Sequence, residues 1–100
     1  MIAERWTWKV KPGCWDEALQ LLKAERDRRA TAGPARIYYQ GTPGLFGPLG
    51  RIVWEKEFED EEARQKFWSD WWSEPESREF NKKFWDLMET DGSHELWGLA

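Results

Sequence analysis

The N-terminal residues alternate between two kinds of side chain. Within residues 2–11, IAERWTWKVK, apolar and aromatic side chains hold most of one set of alternate positions, and basic side chains hold much of the other. A period of two residues is typical of a β-strand, and Pro12-Gly13 ends it. The two faces of this predicted strand carry Ile2, Glu4, Trp6, Trp8 and Val10 on one side, and Ala3, Arg5, Thr7, Lys9 and Lys11 on the other.

The rest of the chain switches between helical and strand periods. Apolar residues recur at steps of three and four in two long stretches, which is typical of amphipathic helices. In chain order the pattern predicts strand 2–11, helix 14–31, strand 36–40, a turn-rich connection 41–50, strand 51–58, a helix capped by Asp60 that runs to Trp72, a helical segment to Thr90 and strand 94–99. The capping-box pattern Ser73–Glu76 predicts a restart of the helix, or a kink at Pro75.

This β-α-β-β-α-β order predicts the fold class. It is the order of an α+β, ferredoxin-like domain, in which two helices cover one face of an antiparallel sheet. We expect the 100 residues to form a single domain of this kind.

The segment FWSDWW raises the question of why one helix carries so many rings. At about 100° per residue, Ala63, Phe67 and Trp71 form a row that is predicted to pack on the sheet. Trp68 and Trp72 form a second row. This row makes the apolar side of the helix wider than packing on one sheet requires. This second row is either core and dimer contact, where tryptophan is favoured, or the wall of a ligand pocket.

The strands add further rings to the layer between sheet and helices. Filling that layer with indoles, whose N–H groups need partners, is unusual for an inert core. The candidate ligand-binding residues are therefore Glu4, Trp6, Trp8, Tyr39, Trp54, Phe58, Trp68 and Trp72. Glu4 and Lys56 share the faces that carry these rings, and they are either a polar pair at the mouth of a cavity or strand ends in water, with strand ends favoured. Groups that could handle protons in a reaction are Glu4, Tyr38, Tyr39 and His94.

The opposite face of the sheet is predicted to have no helix over it. Such a face is either wet or paired with another sheet. Its basic residues on the first strand and acidic residues on the third can pair within one chain or across a two-fold axis. We therefore expect a homodimer formed through the face that carries Arg5, Thr7, Lys9, Val53, Glu55 and Glu57.

Composition narrows the classes of partner. The net charge of −4 argues against nucleic acid, and the apolar runs are too short to span a membrane. The charged N-terminus lacks a signal-peptide pattern, so a cytoplasmic location is expected.

Cys14 has no partner for an internal disulfide, and His94 is the single histidine, so no metal-ligand spacing is found. The basic residues near the end of the first helix are predicted to cap that helix and to meet water; they are Lys23, Arg26, Arg28 and Arg29.

Several stretches resemble the NIPSNAP-type branch of the dimeric α+β barrel proteins. They are the strand that runs into Lys11-Pro12-Gly13, the helix start WDEAL, the segment GPLGRIVWEKEFEDEEARQKFW and the segment EPESREF. The resemblance covers nearly the whole chain and implies that two ferredoxin-like subunits pair sheet to sheet. It carries no catalytic motif.

The wider superfamily contains cofactor-free mono-oxygenases, small-molecule isomerases and haem-degrading enzymes. In the haem-degrading members, the resemblance implies an asparagine on strand one and a histidine on the second helix. Trp6 stands where that asparagine would fall, and residues 59–92 contain no histidine, so no cofactor is expected. Three functions remain open: a homodimeric binding module for a small apolar or aromatic molecule, a cofactor-independent mono-oxygenase or isomerase, and a purely structural domain.

Overall fold

The computed structural model describes residues 1–40, 50–89 and 92–100. Most of the predicted turn-rich connection, residues 41–49, lies outside the described residues. The elements are strand β1 (Ile2–Lys9), helix α1 (Trp15–Arg28), a short 3-10 helix (Ala30–Ala32), strands β2 (Arg36–Tyr39) and β3 (Arg51–Phe58), helices α2 (Glu61–Ser73) and α3 (Pro75–Asp86), and strand β4 (Ser93–Gly98).

The strands form one antiparallel sheet in the order β2-β3-β1-β4. This order, with the helices on one face, confirms the predicted ferredoxin-like fold. β1 is central, and its Trp6 stands opposite Trp54 of β3 and His94 of β4. Because side chains alternate along a strand, the register brings Glu4, Trp6 and Trp8 to the face that the helices cover.

The core lies between that face and the three helices. Its buried members include Trp8 and Ile52 from the sheet, Leu22 from α1 and Phe84 from α3. Burial of an aliphatic or aromatic side chain of this size stabilises the folded chain by about 1.5–3 kcal/mol. Ala18 is fully buried, which shows how closely α1 approaches its neighbours.

The predicted capping box at the start of α3 is wrong. Ser73 is the last residue of α2, and its hydroxyl donates to the carbonyl of Asp70 (2.6 Å). Glu74 occupies the N-cap position without a side-chain capping bond. Its carboxylate instead accepts hydrogen bonds from Arg28 and Arg29, at the end of α1.

Glu74, Arg28 and Arg29 form an ion-pair cluster. This cluster overturns the expectation that the basic end of α1 meets water. Arg28 bonds to Glu25 in its own helix, to Glu74 and to the hydroxyl of buried Ser77 (2.6 Å). These carboxylates raise the already high pKa of the Arg28 guanidinium, chiefly through the hydrogen bonds of Glu25. The cluster fixes the end of α1 against the junction of α2 and α3.

The uncovered face of the sheet shows the predicted pairing of basic and acidic residues, within one chain. Arg5 donates twice to Oε1 of Glu55 (2.8 and 3.0 Å), and Arg36 donates twice to Oε2 (2.9 and 3.2 Å). Burial alone would raise the pKa of Glu55, but the hydrogen bonds from Arg5 and Arg36 outweigh it and hold the pKa below its usual value. Glu55 is thus a buried anion between two cations.

The Asp60 cap that the sequence predicts is confirmed, and it should contribute measurably to stability. Its carboxylate accepts a hydrogen bond from the backbone N–H of Ala63 (2.8 Å) at the start of α2. Asp60→Ala should lower the free energy of unfolding by about 1 kcal/mol, measured by urea denaturation. Asp60→Asn keeps an acceptor oxygen and should lose much less. Equal losses for the two variants would contradict the capping role.

Candidate ligand-binding cavity

A cavity of about 290 Å³ lies between the sheet and the helices. This volume is at the small end of the range for ligand pockets. Residues of β1, β3 and all three helices contribute to its wall, together with the segment that links α1 to β2. Ten aromatic side chains line it: Trp6, Trp8, Trp54, Phe67, Trp68, Trp71, Trp72, Phe80, Phe84 and Trp85.

Five of the eight residues predicted from the sequence lie in this wall. They are Trp6, Trp8, Trp54, Trp68 and Trp72. Trp54 is buried at the centre of β3 and contacts Trp68 across the layer, with ring centroids 5.5 Å apart. Trp72 is 50% exposed, so it lies where the wall meets solvent.

The other three predicted residues lie outside the wall. Tyr39 is 45% exposed and packs edge-on against Trp15, 5.6 Å away. Phe58, at the end of β3, is buried against Phe67 with ring centroids 5.5 Å apart. Glu4 is buried behind Trp68 rather than open to the cavity.

The Glu4 carboxylate is the centre of a buried polar network. Its exposure is 1%, so the favoured expectation of a strand end in water is wrong. Oε1 accepts a hydrogen bond from the indole N–H of Trp68 (2.6 Å), and Oε2 accepts one from Arg64 (3.0 Å). Nε2 of His94 lies 2.6 Å from the same Oε2. A buried carboxylate needs such partners, because its loss of hydration is otherwise costly.

This network corrects the predicted rotation of α2. The row with Trp68 was expected to be left over, but the bond to Glu4 turns Trp68 towards the sheet. Trp71, expected to pack on the sheet, instead donates its indole N–H to Glu25 of α1 (2.7 Å). Phe67 does contact the sheet, with its ring centroid 6.2 Å from that of Trp54. The hydrogen bonds of two indoles therefore set which rings face the cavity.

His94 supports the wall from outside it. Its ring stacks on Trp6 at 4.0 Å with an interplanar angle of 23°. Trp6 in turn lies nearly parallel to Trp8, 6.1 Å away. The Nε1 atoms of both Trp6 and Trp8 are buried without a hydrogen-bond partner in the described part of the chain.

Lys56 is the charged residue of the sheet that reaches the cavity. It is 5% exposed, so the expectation of a strand end in water is wrong here as well. Its ammonium lies over the rings of Phe58 (5.4 Å) and Phe67 (5.2 Å) and donates a long hydrogen bond to the carbonyl of Pro34 (3.4 Å). Burial, and secondly the charge of Arg29, lower the pKa of Lys56 below its usual value.

Gly33 makes room for that ammonium. A Cβ atom at this position would lie 2.6 Å from Nζ of Lys56. The φ angle of Gly33 is also positive, at 104°, a conformation that favours glycine. Both features allow the segment between α1 and β2 to close over the side chain of Lys56.

Three further charged residues of the wall, Glu25, Arg26 and Arg29, were missed in the sequence. They continue the row of Ala18 and Leu22 along α1 at helical spacing. That spacing is the signal that could have found them, because it places polar side chains on the buried stripe. Glu25 accepts bonds from Arg28 and Trp71, while Arg29 lies over the Phe67 ring at 5.2 Å.

Residues 1–40, 50–89 and 92–100 contain neither a metal-binding cluster nor a membrane-spanning helix. No group of three or more His, Cys, Asp or Glu side chains there is arranged to hold a metal ion. No helix within the same residues combines the length and the apolar character needed to cross a bilayer.

Solved structures with this fold include NIPSNAP proteins, which confirms the predicted resemblance at the level of fold. A NIPSNAP family protein from Agrobacterium tumefaciens has a TM-score of 0.80 at 15% identity, covering 99% of this chain and 92% of its own. An uncharacterized NIPSNAP domain protein from Burkholderia xenovorans has a TM-score of 0.78 at 19% identity, covering 100% and 95%.

An antibiotic biosynthesis monooxygenase also has this fold. Its TM-score is 0.76 at 14% identity, and the match covers 100% of this chain and 99% of that one. No protein-family model matches the sequence, and no curated protein matches it either. Identities this low establish the shared fold and leave the activity to be argued from the cavity itself.

Lys56 should lower the stability of the unliganded protein, because its charge is buried without a carboxylate partner among the described residues. Lys56→Met should raise the free energy of unfolding at pH 7 by about 1 kcal/mol, measured by urea denaturation. Since the folded-state pKa of Lys56 is lowered, the wild type gains stability as pH rises from that pKa towards the unfolded value. The advantage of the variant should therefore shrink at high pH.

Lys66→Met is the matched control for this substitution. Lys66 is exposed on α2 and pairs with Asp70 (2.8 Å), so its loss removes the same charge from a solvated site. The control should change stability little at either pH. A Lys56→Met protein less stable than the wild type at pH 7 would contradict the argument.

Proposed function

We propose that this protein binds a small, flat, apolar or aromatic molecule in the cavity between its sheet and helices. The observation that carries the proposal is a wall of ten aromatic rings around about 290 Å³ of space. Protein cores are normally packed to the density of organic crystals. A space of this size between indoles is therefore better explained by an occupant than by the needs of the core.

The arrangement of the rings supports a flat occupant. Trp54 and Phe67 are inclined by only 29°, whereas Trp68 meets Trp71 edge to face at 84°. Aromatic ligands make offset-stacked and edge-to-face contacts with such walls. At the mouth of the cavity, Trp72 and Trp85 expose large apolar surfaces, which in soluble proteins mark sites of binding.

Catalysis is the second candidate, because one protein with this fold is an antibiotic biosynthesis monooxygenase. A cofactor-independent mono-oxygenase or isomerase would need a proton-handling group beside its substrate. Glu4, Tyr38, Tyr39 and His94 were the candidates for that role, and all four lie outside the cavity wall. Lys56 is a titratable residue of the wall, but its ammonium donates to the carbonyl of Pro34, and no carboxylate or histidine of the described residues bonds to it to take its proton. Binding without reaction is therefore favoured over catalysis.

We also propose that two chains pair through the uncovered sheet face, which carries Arg5, Thr7, Lys9, Val53 and Glu55. Tyr38 and Trp97 share that face, and Trp97 is 53% exposed. Exposed aromatic surface on a sheet face that no helix covers favours contact with another sheet. The resemblance to dimeric α+β barrels supports the same pairing.

Binding can be tested by calorimetric titration with 2-naphthalenemethanol, a neutral and flat probe. We expect saturable binding at one site per chain. Ala35→Leu places a larger side chain in the wall and should weaken binding at least tenfold without unfolding the protein. Ala24→Leu is the matched control, since Ala24 is exposed on α1 and lies outside the wall, and it should leave the affinity unchanged. Absence of saturable heat with the wild type, both for this probe and for the flat aromatic anion 2-naphthoate, would overturn the proposal.

The dimer can be tested by light scattering at micromolar concentration. The wild type should have twice the chain mass of 12.0 kDa. Val53→Lys adds a charge to the centre of the proposed interface and should shift the mass towards one chain. Gln65→Lys adds the same charge to the exposed side of α2 and should leave the mass unchanged. A wild type that has the mass of a single chain would refute the pairing.

A further inference from the structure

The charged side chains around the cavity differ in whether they have a partner of opposite charge. Glu25, Arg26, Arg29 and Lys56 reach its wall. The one carboxylate among them, Glu25, accepts two hydrogen bonds from Arg28 (2.7 and 2.8 Å) and one from Trp71 (2.7 Å). Its charge and its lone pairs are therefore already engaged by the protein.

Two of the three cations also have carboxylate partners. Arg26 pairs with Asp27 (3.1 Å), and Arg29 pairs with Glu74. Lys56 differs from both, because no carboxylate in the described part of the chain lies within ion-pair distance of it. The carboxylate directly across the sheet, Glu4, is taken up by Arg64, Trp68 and His94.

Some residues around the cavity also carry polar atoms without a hydrogen-bond partner. Within the described residues, buried nitrogen atoms without a partner belong to Trp6, Trp8, Trp15 and Arg29, and three of these four residues line the cavity. Each unsatisfied atom is an N–H donor. In native proteins such groups are few, and each one calls for an explanation.

We propose that the molecule bound in this cavity is an aromatic acid, whose carboxylate is held by the Lys56 ammonium. The inference rests on the proposed binding function and specifies its ligand class. A carboxylate supplies the negative charge that the buried Lys56 ammonium lacks, together with acceptor oxygens for its N–H groups. The aromatic part of the molecule takes the remaining apolar surface of the wall.

Burial makes this ion pair effective. In water a lysine–carboxylate contact is weak, whereas the same contact in a dry site is much stronger. The lysine has already lost its hydration on folding, so only the incoming carboxylate must be desolvated. The site should therefore discriminate strongly between an acid and a neutral molecule of the same shape.

A matched pair of probes tests the charge preference directly. 2-Naphthoate and 2-naphthalenemethanol share one ring system and differ in the anionic group. By calorimetry, the wild type should bind the naphthoate about 10–100-fold more tightly, the range expected for a hydrogen bond between charged groups. Lys56→Met should bind both probes with affinities within about threefold of each other.

The controls separate this inference from the binding proposal itself. Lys66→Met removes an exposed lysine from α2 and should keep the wild-type preference. Circular dichroism checks that each variant is folded. Equal affinities of the wild type for the two probes, or a preference that survives in Lys56→Met, would overturn the aromatic-acid inference while leaving the cavity proposal intact. Failure of both probes to bind the wild type would overturn both.

Discussion

The buried carboxylate of Glu4 is the constraint on which the arrangement of this domain depends. It lies on the central strand, and each of its oxygens needs a partner because water does not reach it. Arg64 and Trp68 supply two from α2, and His94 supplies one from β4. One side chain thus joins the middle of the sheet, the edge strand and a helix, and it fixes the rotation of that helix about its axis.

That rotation in turn produces the cavity. With Trp68 drawn to the sheet, Trp71 points across to α1, where Glu25 accepts its indole N–H. The Glu74 carboxylate holds the end of α1, because it accepts hydrogen bonds from Arg28 and Arg29. The rings of Trp68 and Trp71 are therefore held at their polar ends by different elements, and space remains beside them. Polar bonds position this wall, and aromatic rings form most of its surface.

The sequence was informative about elements and faces because both follow from periodicity. Alternation predicted that Trp6 and Trp8 share the covered face of β1, and helical spacing predicted the aromatic surface of α2. Periodicity carries no information on which distant partner a polar side chain will find. Glu4 and Lys56 were consequently expected in water, and the Ser73–Glu76 capping box was expected where Glu74 instead bonds to the arginines of α1. Each of these three misses concerns a long-range polar contact.

The unmatched lysine gives ligand binding in the cavity a biological consequence. A molecule that binds only the folded chain shifts the folding equilibrium in proportion to its concentration. Cellular proteases remove chains that open, so small changes in this equilibrium alter abundance several-fold. An anion that pairs with Lys56 would thus lengthen the lifetime of the protein. The amount of protein in a cell would then report the supply of that compound, without any change in gene expression.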